Sequence, residues 1–456
     1  MFPLTATEIA RICGGRLLQG DAGAVADRVT IDSRASGPGA LFAAFVGERV
    51  DGHDYLKPAF EAGASVALIS DADKVRGTCI LVDDVAGALG ALAAQTRERL
   101  SCPVIAITGS SGKTTTKELL ASVLATGIDP SARVVATSGN QNNELGVPLT
   151  LLAAGEDTQA LIVELGMRAA GEIAALADLV RPRIGIITSI GRAHLETLGS
   201  LDAIAAAKAE LLSALPGEGL ALYPDDTGYD ELLRSATTAK RTQTVGAGAD
   251  ADYRALDIDF DEQGRATARV QGPDSSFTLH LALPGRHLLS DALLVVACAH
   301  ELGMGDEAIA RALAGAPAVD LRGAVVEVAE LGIRLIDETY NANPDSVEAA
   351  LRTLALRSTR GRRIAVLGDM LELGDASEPA HRRVIELAAE LDECLFVFGS
   401  CFSRVCAPHL AYDDIALLIR ALRDFVRPGD LVLVKGSRGM RMERVVEALK
   451  EGGRTC

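Results

Sequence analysis

The chain has 456 residues, 48% of them hydrophobic, with 45 glycines and no tryptophan. Its 45 Lys and Arg against 62 Asp and Glu leave a formal net charge of −17. That length predicts about three α/β domains rather than one core, and the acidity excludes duplex nucleic acid or an anionic membrane held through the overall field. An anionic ligand would need a local positive site such as a helix N-terminus.

Along the chain, strand-like apolar runs alternate with Ala/Leu helical patterns, as in parallel α/β sheets. The start, "MFPLTATEIARICGG", lacks the basic and apolar regions of a signal peptide. Short strands "ALFAAFVG" and "VALIS" and a helix "VAGALGALAAQTRERL" make up a first domain, 1–100. Ser101-Cys102-Pro103 reads as a linker into a second domain, 101–316. This opens on the buried strand "VIAITG", continues with "ALIVELG" and "IGIITSIG", and ends in an alternating, antiparallel stretch from Tyr253 to Leu283 and the helix "SDALLVVACAHELG". A Pro-bearing junction, "LAGAPAVDLRG", leads to a third domain, 317–456, with strands "IRLIDE", "RRIAVLG", "LFVFG" and "DLVLVKG". The longest apolar run, "LLSDALLVVACA", carries Asp291 and falls short of a membrane span. The eight cysteines include no C-x-x-C, and Cys401, Cys406 and His409 match no common zinc spacing. A cytoplasmic protein with reduced thiols is expected.

The stretch "VIAITGSSGKTTTKE", Val104 to Glu118, carries the first chemical signal. A phosphate needs inward-pointing backbone N–H groups, small residues that let the chain approach, and a helix N-terminus behind them. Buried strand, small-residue turn and amphipathic helix arrive in that order. The Walker pattern would place its first glycine at Ile107, so the loop starts instead at Gly109. Gly109 and Gly112 supply the turn, Lys113 reaches the β/γ-phosphate oxygens, and the Thr114 hydroxyl ligates Mg²⁺. Further ligands are expected at the carboxyl ends of neighbouring strands. Glu164, stranded after four apolar residues, and His194, after "IGIITSIGRA", are the candidates. Lys208, in "LDAIAAAKAELLSAL", reads by itself as a solvated helix lysine.

The loop resembles the phosphate loop of the Mur ligase family of peptidoglycan precursor synthesis. The likeness extends through "GNQNNELGVP", "VELG", "AHLETLGS", "AKAELL", "LPGRH", "DETYNANPDS", "LGDMLELG" and "LVKGSRGM", in the family's order and over nearly the whole chain. It implies a three-domain α/β architecture: a UDP-substrate-binding N-terminal domain, a central P-loop parallel-sheet ATPase domain, and a Rossmann-like C-terminal domain binding D-alanyl-D-alanine. The implied activity is ATP-dependent joining of that dipeptide to UDP-N-acetylmuramoyl-tripeptide, with ADP and phosphate released. A monomer is implied, with no nucleic acid partner and no membrane insertion.

The resemblance also distributes roles. Thr108, Gly109, Ser110, Ser111, Gly112, Lys113, Thr114 and Thr115 hold ATP. Thr114, Glu164, His194 and a carbamylated Lys208 serve two Mg²⁺ sites. Arg322 lies near the γ-phosphate, and Asp337 contacts the nucleotide. Asn142, Asn143, Tyr340, Asn341 and Asn343 line the peptide sites, with Lys435 and Ser437 facing the dipeptide. Ser33, Arg34, Arg49, Asp51 and His53 meet the UDP group. Two departures stand out. Where the family often reads His-Asn-x-x-Asn, this chain has "HLLSD", so adenine contact would fall to His287 or Asp291; Asp320-Leu321 precedes Arg322 where Pro-Gly is common. A folylpolyglutamate synthetase-like ligase, a ligase adding one amino acid, and a non-ligating P-loop NTPase are the alternatives.

Overall fold

The computed structural model describes residues 1–47, 49–127, 133–317, 323–407 and 410–451. Arg322 and His409 lie outside the described residues. Ten elements position the site: β1 (Val104–Thr108), α1 (Lys113–Gly127), β2 (Thr158–Glu164), β3 (Ile184–Ile187), α2 (Leu201–Ser213), α3 (Leu288–Glu301), β4 (Ile333–Glu338), α4 (Pro344–Leu356), β5 (Arg363–Gly368) and β6 (Leu431–Lys435).

The N-terminal domain is a five-stranded sheet in the order Arg16–Gln19, Cys79–Leu81, Ala64–Ile69, Ala40–Ala43, Arg28–Thr30. The strand expected over "ALFAAFVG" ends at Ala43; beyond it the chain doubles back through Gly47, and Val46 bridges Asp51. The helix Val85–Arg99 starts where Asp84 accepts the N–H groups of Ala86 and Gly87. Its Ala88, Leu89 and Leu92 share one buried cluster with Val147 and Leu151 of the next domain, so the two domains are joined by a common core.

The middle domain is built on nine strands. β1 lies between β2 and β3, and all three run parallel. Every residue of β1 is buried, which suits a strand covered on both faces by helices. Past β3 come Leu220–Pro224, Arg241–Gly246 and Tyr253–Phe260, also parallel; Arg265–Gln271 and Ser276–Pro284 then extend the sheet antiparallel. This is the antiparallel stretch read from the alternating pattern.

In the C-terminal domain β6 sits between β4 and β5, all parallel, with Cys394–Phe398 and Ala411–Tyr412 beyond and Ala324–Val328 antiparallel at the other edge. Separate apolar clusters cover its two faces, one including Leu351, Leu354 and Val384, the other Leu418, Val445 and Leu449. α4 is sharply started: Asn343 caps it, accepting from Ser346 N, Ser346 reaches back to Asn343 N, and Pro344 takes the first turn. Among the described residues no helix is long and apolar enough to cross a membrane.

Candidate active site

The carboxyl ends of β1, β2 and β3 and those of β4 and β6 face one cleft of about 1040 Å³ between the middle and C-terminal domains. Open parallel sheets leave their loops and helix N-termini at this end, so each domain contributes half of a site.

The phosphate loop forms the floor. Gly109 and Gly112 have φ of +155° and +83°. A Cβ on Gly109 would lie 1.9 Å from Thr188 Oγ1, and one on Gly112 2.5 Å from Asp291 Oδ1. Both positions therefore need glycine for space as well as for backbone conformation. Lys113 Nζ donates to Gly109 O at 2.6 Å, folding the side chain over its own loop. The Ser110 hydroxyl bonds both backbone groups of Gly191, and Ser111 N donates to Ser189 Oγ at 2.9 Å. The loop is thus braced against the segment that follows β3.

Glu164 is 2% exposed. One of its oxygens accepts from Thr114 Oγ1 and the other from Asn142 Nδ2, each at 2.8 Å. A carboxylate buried against two neutral donors remains poorly compensated. A divalent cation between Glu164 and the Thr114 hydroxyl would supply the missing charge, so these donors fit Mg²⁺.

His194 adopts φ of +62° at the start of the turn Leu195–Leu198. Its Nδ1 bonds Glu372 Oε2 at 2.8 Å, across the domain boundary, and Nε2 has no hydrogen bond to the described residues. A carboxylate on one imidazole nitrogen fixes the tautomer that leaves the other free as an acceptor. Burial lowers the His194 pKa, with Glu372 opposing that shift, so the ring stays neutral and able to ligate.

Lys208 is 1% exposed and makes no hydrogen bond or ion pair to the described residues. Burial, and secondarily the charge of Lys113, hold its ammonium well below the usual lysine range. This overturns the reading of a solvated helix lysine. Ile204 and Leu212, four residues away on either side of α2, are buried with it, so Lys208 sits on the apolar face of the helix.

The opposite wall comes from the C-terminal domain. Lys435 Nζ donates to Asn341 O at 3.0 Å and pairs with Glu338 at 3.2 Å. Asn343 Nδ2 reaches Ser110 O at 3.4 Å, touching the phosphate loop. Tyr340, Asn341, Asn142, Asn143, His287 and Asp291 also line the cleft. Burial lifts the Asp291 carboxyl to about 7.

Two further expected site residues bond neighbouring segments. Asp337 accepts from the N–H and hydroxyl of Thr339, and Ser437 joins Leu371 N to Ala342 O; neither lines the cleft. Ser33, Arg34, Arg49, Asp51 and His53 lie in the N-terminal domain and do not line it either. Asp51 ties that region together, accepting from Lys74 at 2.7 Å and from His53 Nδ1 at 2.6 Å, while Ser70 N donates to His53 Nε2. Glu338, Asp345 and Glu372 line the cleft and Arg192 bonds Asp345, and the sequence alone assigned a role to none of them. Glu372 stood inside "LGDMLELG" and Asp345 inside "DETYNANPDS", both quoted without a role for these side chains.

A cluster of Asp369, His381 and Cys401 has the spacing of metal ligands. Two of its three groups are spent on the backbone: His381 Nε2 accepts from Met370 N, and the Asp369 oxygens accept from Cys401 N and Phe402 N. It fixes the start of helix Ser400–Val405.

Family models match the chain in three successive segments: "Mur ligase family, catalytic domain" over 26–97, "Mur ligase middle domain" over 107–299 and "Mur ligase, glutamate ligase domain" over 321–438. The UDP-N-acetylmuramoyl-tripeptide–D-alanyl-D-alanine ligase of Escherichia coli is 36% identical over 463 residues, covering 100% of both chains. The crystal structure of MurF from Acinetobacter baumannii superposes with a TM-score of 0.88 at 32% identity, over 98% of this chain and 99% of that one. MurF ligase from Thermotoga maritima, solved in complex with ADP, gives a TM-score of 0.79 at 29% identity, over 93% and 97%. The matched segments follow the domain order seen in the fold, and the relatives align from end to end. This chain belongs to the Mur ligase family.

Proposed function

We propose that the protein is an ADP-forming ligase that joins D-alanyl-D-alanine to UDP-N-acetylmuramoyl-tripeptide, giving the UDP-linked pentapeptide of peptidoglycan synthesis. The observation that carries this reading is the convergence of a phosphate loop on one domain and the Tyr340–Asn343 and Lys435 wall of another on a single cleft. Full-length kinship with ligases of that name supports the choice of substrates.

A carboxylate is a poor acylating agent, so the tripeptide's terminal carboxylate takes the γ-phosphoryl group of ATP to become an acyl phosphate. The dipeptide amine then attacks the acyl carbon and phosphate leaves. Residues Thr108 to Thr115 cradle the triphosphate, with loop N–H groups and the N-terminus of α1 aimed at it. Lys113 leaves its carbonyl partner for the β/γ oxygens and offsets the repulsion between the two anions. Mg²⁺ at Thr114 and at Glu164 with His194 would screen further charge on the transferring group. The neutral amine of buried Lys208 is the form that adds to CO₂, with loss of a proton, to give a carbamate; this would turn an uncompensated group into a metal ligand. Asn142, Asn143, Tyr340 and Asn341 orient the peptide ends, and Lys435 sits where the dipeptide carboxylate would be met. Ser33, Arg34, Arg49, Asp51 and His53 would hold the UDP group outside the cleft; Arg34 presents a guanidinium with 88% of its side chain exposed. His287 and Asp291, beside the loop, would meet the base and sugar, and Arg322 would add to the γ-phosphate contacts. Seating the C-terminal domain keeps water from the acyl phosphate.

The test is phosphate release by the purified protein with ATP, Mg²⁺ and UDP-tripeptide. Release dependent on D-alanyl-D-alanine, and not on glutamate or single amino acids, is expected. AMP as product, or release without an amine acceptor, would refute the reading.

A further inference from the structure

We infer that Arg192 is a positioning residue that couples the seating of the C-terminal domain on Asp345 to the geometry of the phosphate loop; the inference rests on the ligase reading above.

Arg192 follows β3 in the middle domain. Its backbone N–H donates to Asp345 Oδ2 at 2.7 Å, while Nη2 and Nε donate to Oδ1 at 2.7 and 3.1 Å. Nη2 also donates to Glu348 Oε1 at 2.8 Å. One carboxylate therefore holds both the main chain and the side chain of a single residue, with a second carboxylate one helical turn along α4. A guanidinium can satisfy this fork, whereas an ammonium cannot span it. Closeness is enforced next door: a Cβ on Gly191 would lie 2.3 Å from Asp345 Oδ2.

Gly191 is also the residue that grips the phosphate loop. Its N–H donates to Ser110 Oγ at 2.9 Å, and its carbonyl accepts from the same hydroxyl at 3.0 Å. Ser110 N donates to Ser189 O at 3.0 Å, and Ser110 O accepts from Asn343 Nδ2. The first turns of α4 thus hold Ser110 directly through Asn343 and indirectly through Asp345, Arg192 and Gly191. A few residues on, the same boundary carries His194 against Glu372, and Glu196 N donates to Glu372 O at 3.2 Å.

A coupling of this kind needs contacts that exist in one domain arrangement and not in another. With the C-terminal domain displaced, Arg192 loses both carboxylates, and Ser110 keeps only bonds within its own domain. The loop then holds nucleotide without the geometry that transfers phosphate. Transfer is thereby confined to the arrangement in which the dipeptide wall is in place, which limits ATP loss when no acceptor is bound.

The experiment uses the full chain with Arg192→Ala, Asp345→Asn, the double variant, and the conservative Arg192→Lys. Nucleotide affinity in the absence of other substrates should stay within about threefold of wild type, while kcat/KM for D-alanyl-D-alanine falls by about 30-fold or more in each single variant. The double variant should be no worse than the poorer single one, because both remove the same link. Small-angle scattering with ADP bound should show a larger radius of gyration than wild type. Single variants within threefold of wild type in kcat/KM, or losses that multiply in the double variant, overturn the inference. Should Arg192→Ala fail to fold, Arg192→Lys decides by the same kinetic measure. A wild-type protein that forms no ADP with both substrates would instead sink the ligase reading.

Discussion

Replacing Asp291 with Asn tests the electrostatics of the phosphate loop through both stability and binding. Asp291 occupies the first turn of α3, where the helix N-terminus favours an anion. Burial works against it and prevails: the carboxyl is raised from 3.8 to about 7. The nearby Thr116 hydroxyl favours the ionised form but makes no hydrogen bond to it, so most of that cost remains. In the unfolded chain the group ionises near 4, in the folded chain near 7, so over that window the unfolded state binds fewer protons and rising pH favours unfolding. The stability present below pH 4 is lost as pH rises through about 7.

At about 1.4 kcal/mol per pH unit, the full displacement corresponds to roughly 4 kcal/mol. Local relaxation and water entry from the cleft bring the expected effect nearer 1–3 kcal/mol, the range found for burying polar groups in proteins. Asn keeps the shape and cannot ionise. Asp291→Asn is therefore expected to melt higher than wild type at pH 8 and to converge with it near pH 4, measured by circular dichroism from pH 4 to 8.5. ADP should also bind the variant more tightly than wild type at pH 8, since a carboxylate packed on Gly112 opposes the phosphates. Parallel melting curves against pH for the two proteins would refute the argument.

Lys208→Ala should lose ligase activity by more than about 100-fold yet regain part of it with added formate or acetate, which would stand in for the oxygens of the proposed carbamate; no rescue in a folded variant would refute the proposed metal role of Lys208. Glu393, buried with both carboxylate oxygens unbonded and Arg363 only at 3.6 Å, is pushed up to about 8 by desolvation. Its stabilising protonated form is lost as pH rises through 8, so Glu393→Gln should raise stability at pH 8.5 by about 1–3 kcal/mol and leave it unchanged below pH 4. An unchanged denaturation midpoint at pH 8.5 would show that the ion pair with Arg363 already compensates the charge.

The parts of the site legible in the sequence are those whose chemistry is local. Strand, glycine turn and Gly-Lys-Thr lie within a dozen residues, and Glu164 announces itself as a carboxylate at the end of an apolar strand. Lys208 was hidden only by reading its alanine neighbours without their period: spaced four residues from Ile204 and from Leu212, it lies on the buried stripe of α2. Asp337 and Ser437 show a different limit, since motif membership does not say whether a side chain meets ligand or bonds its neighbours. What no local pattern could reveal is the seam. Arg192 and Asp345 are 153 positions apart, His194 and Glu372 178, and neither partner is unusual in its own segment. Their meaning arises because two parallel sheets direct their carboxyl ends at each other, which places polar loops from both domains face to face. A ligase that must bring an anion, a nucleotide and an amine together gains from such a divided site, because its catalytic geometry exists only when both halves are closed on the substrates. The division that makes the site hard to read from one segment is thus the same feature that lets domain position control the chemistry.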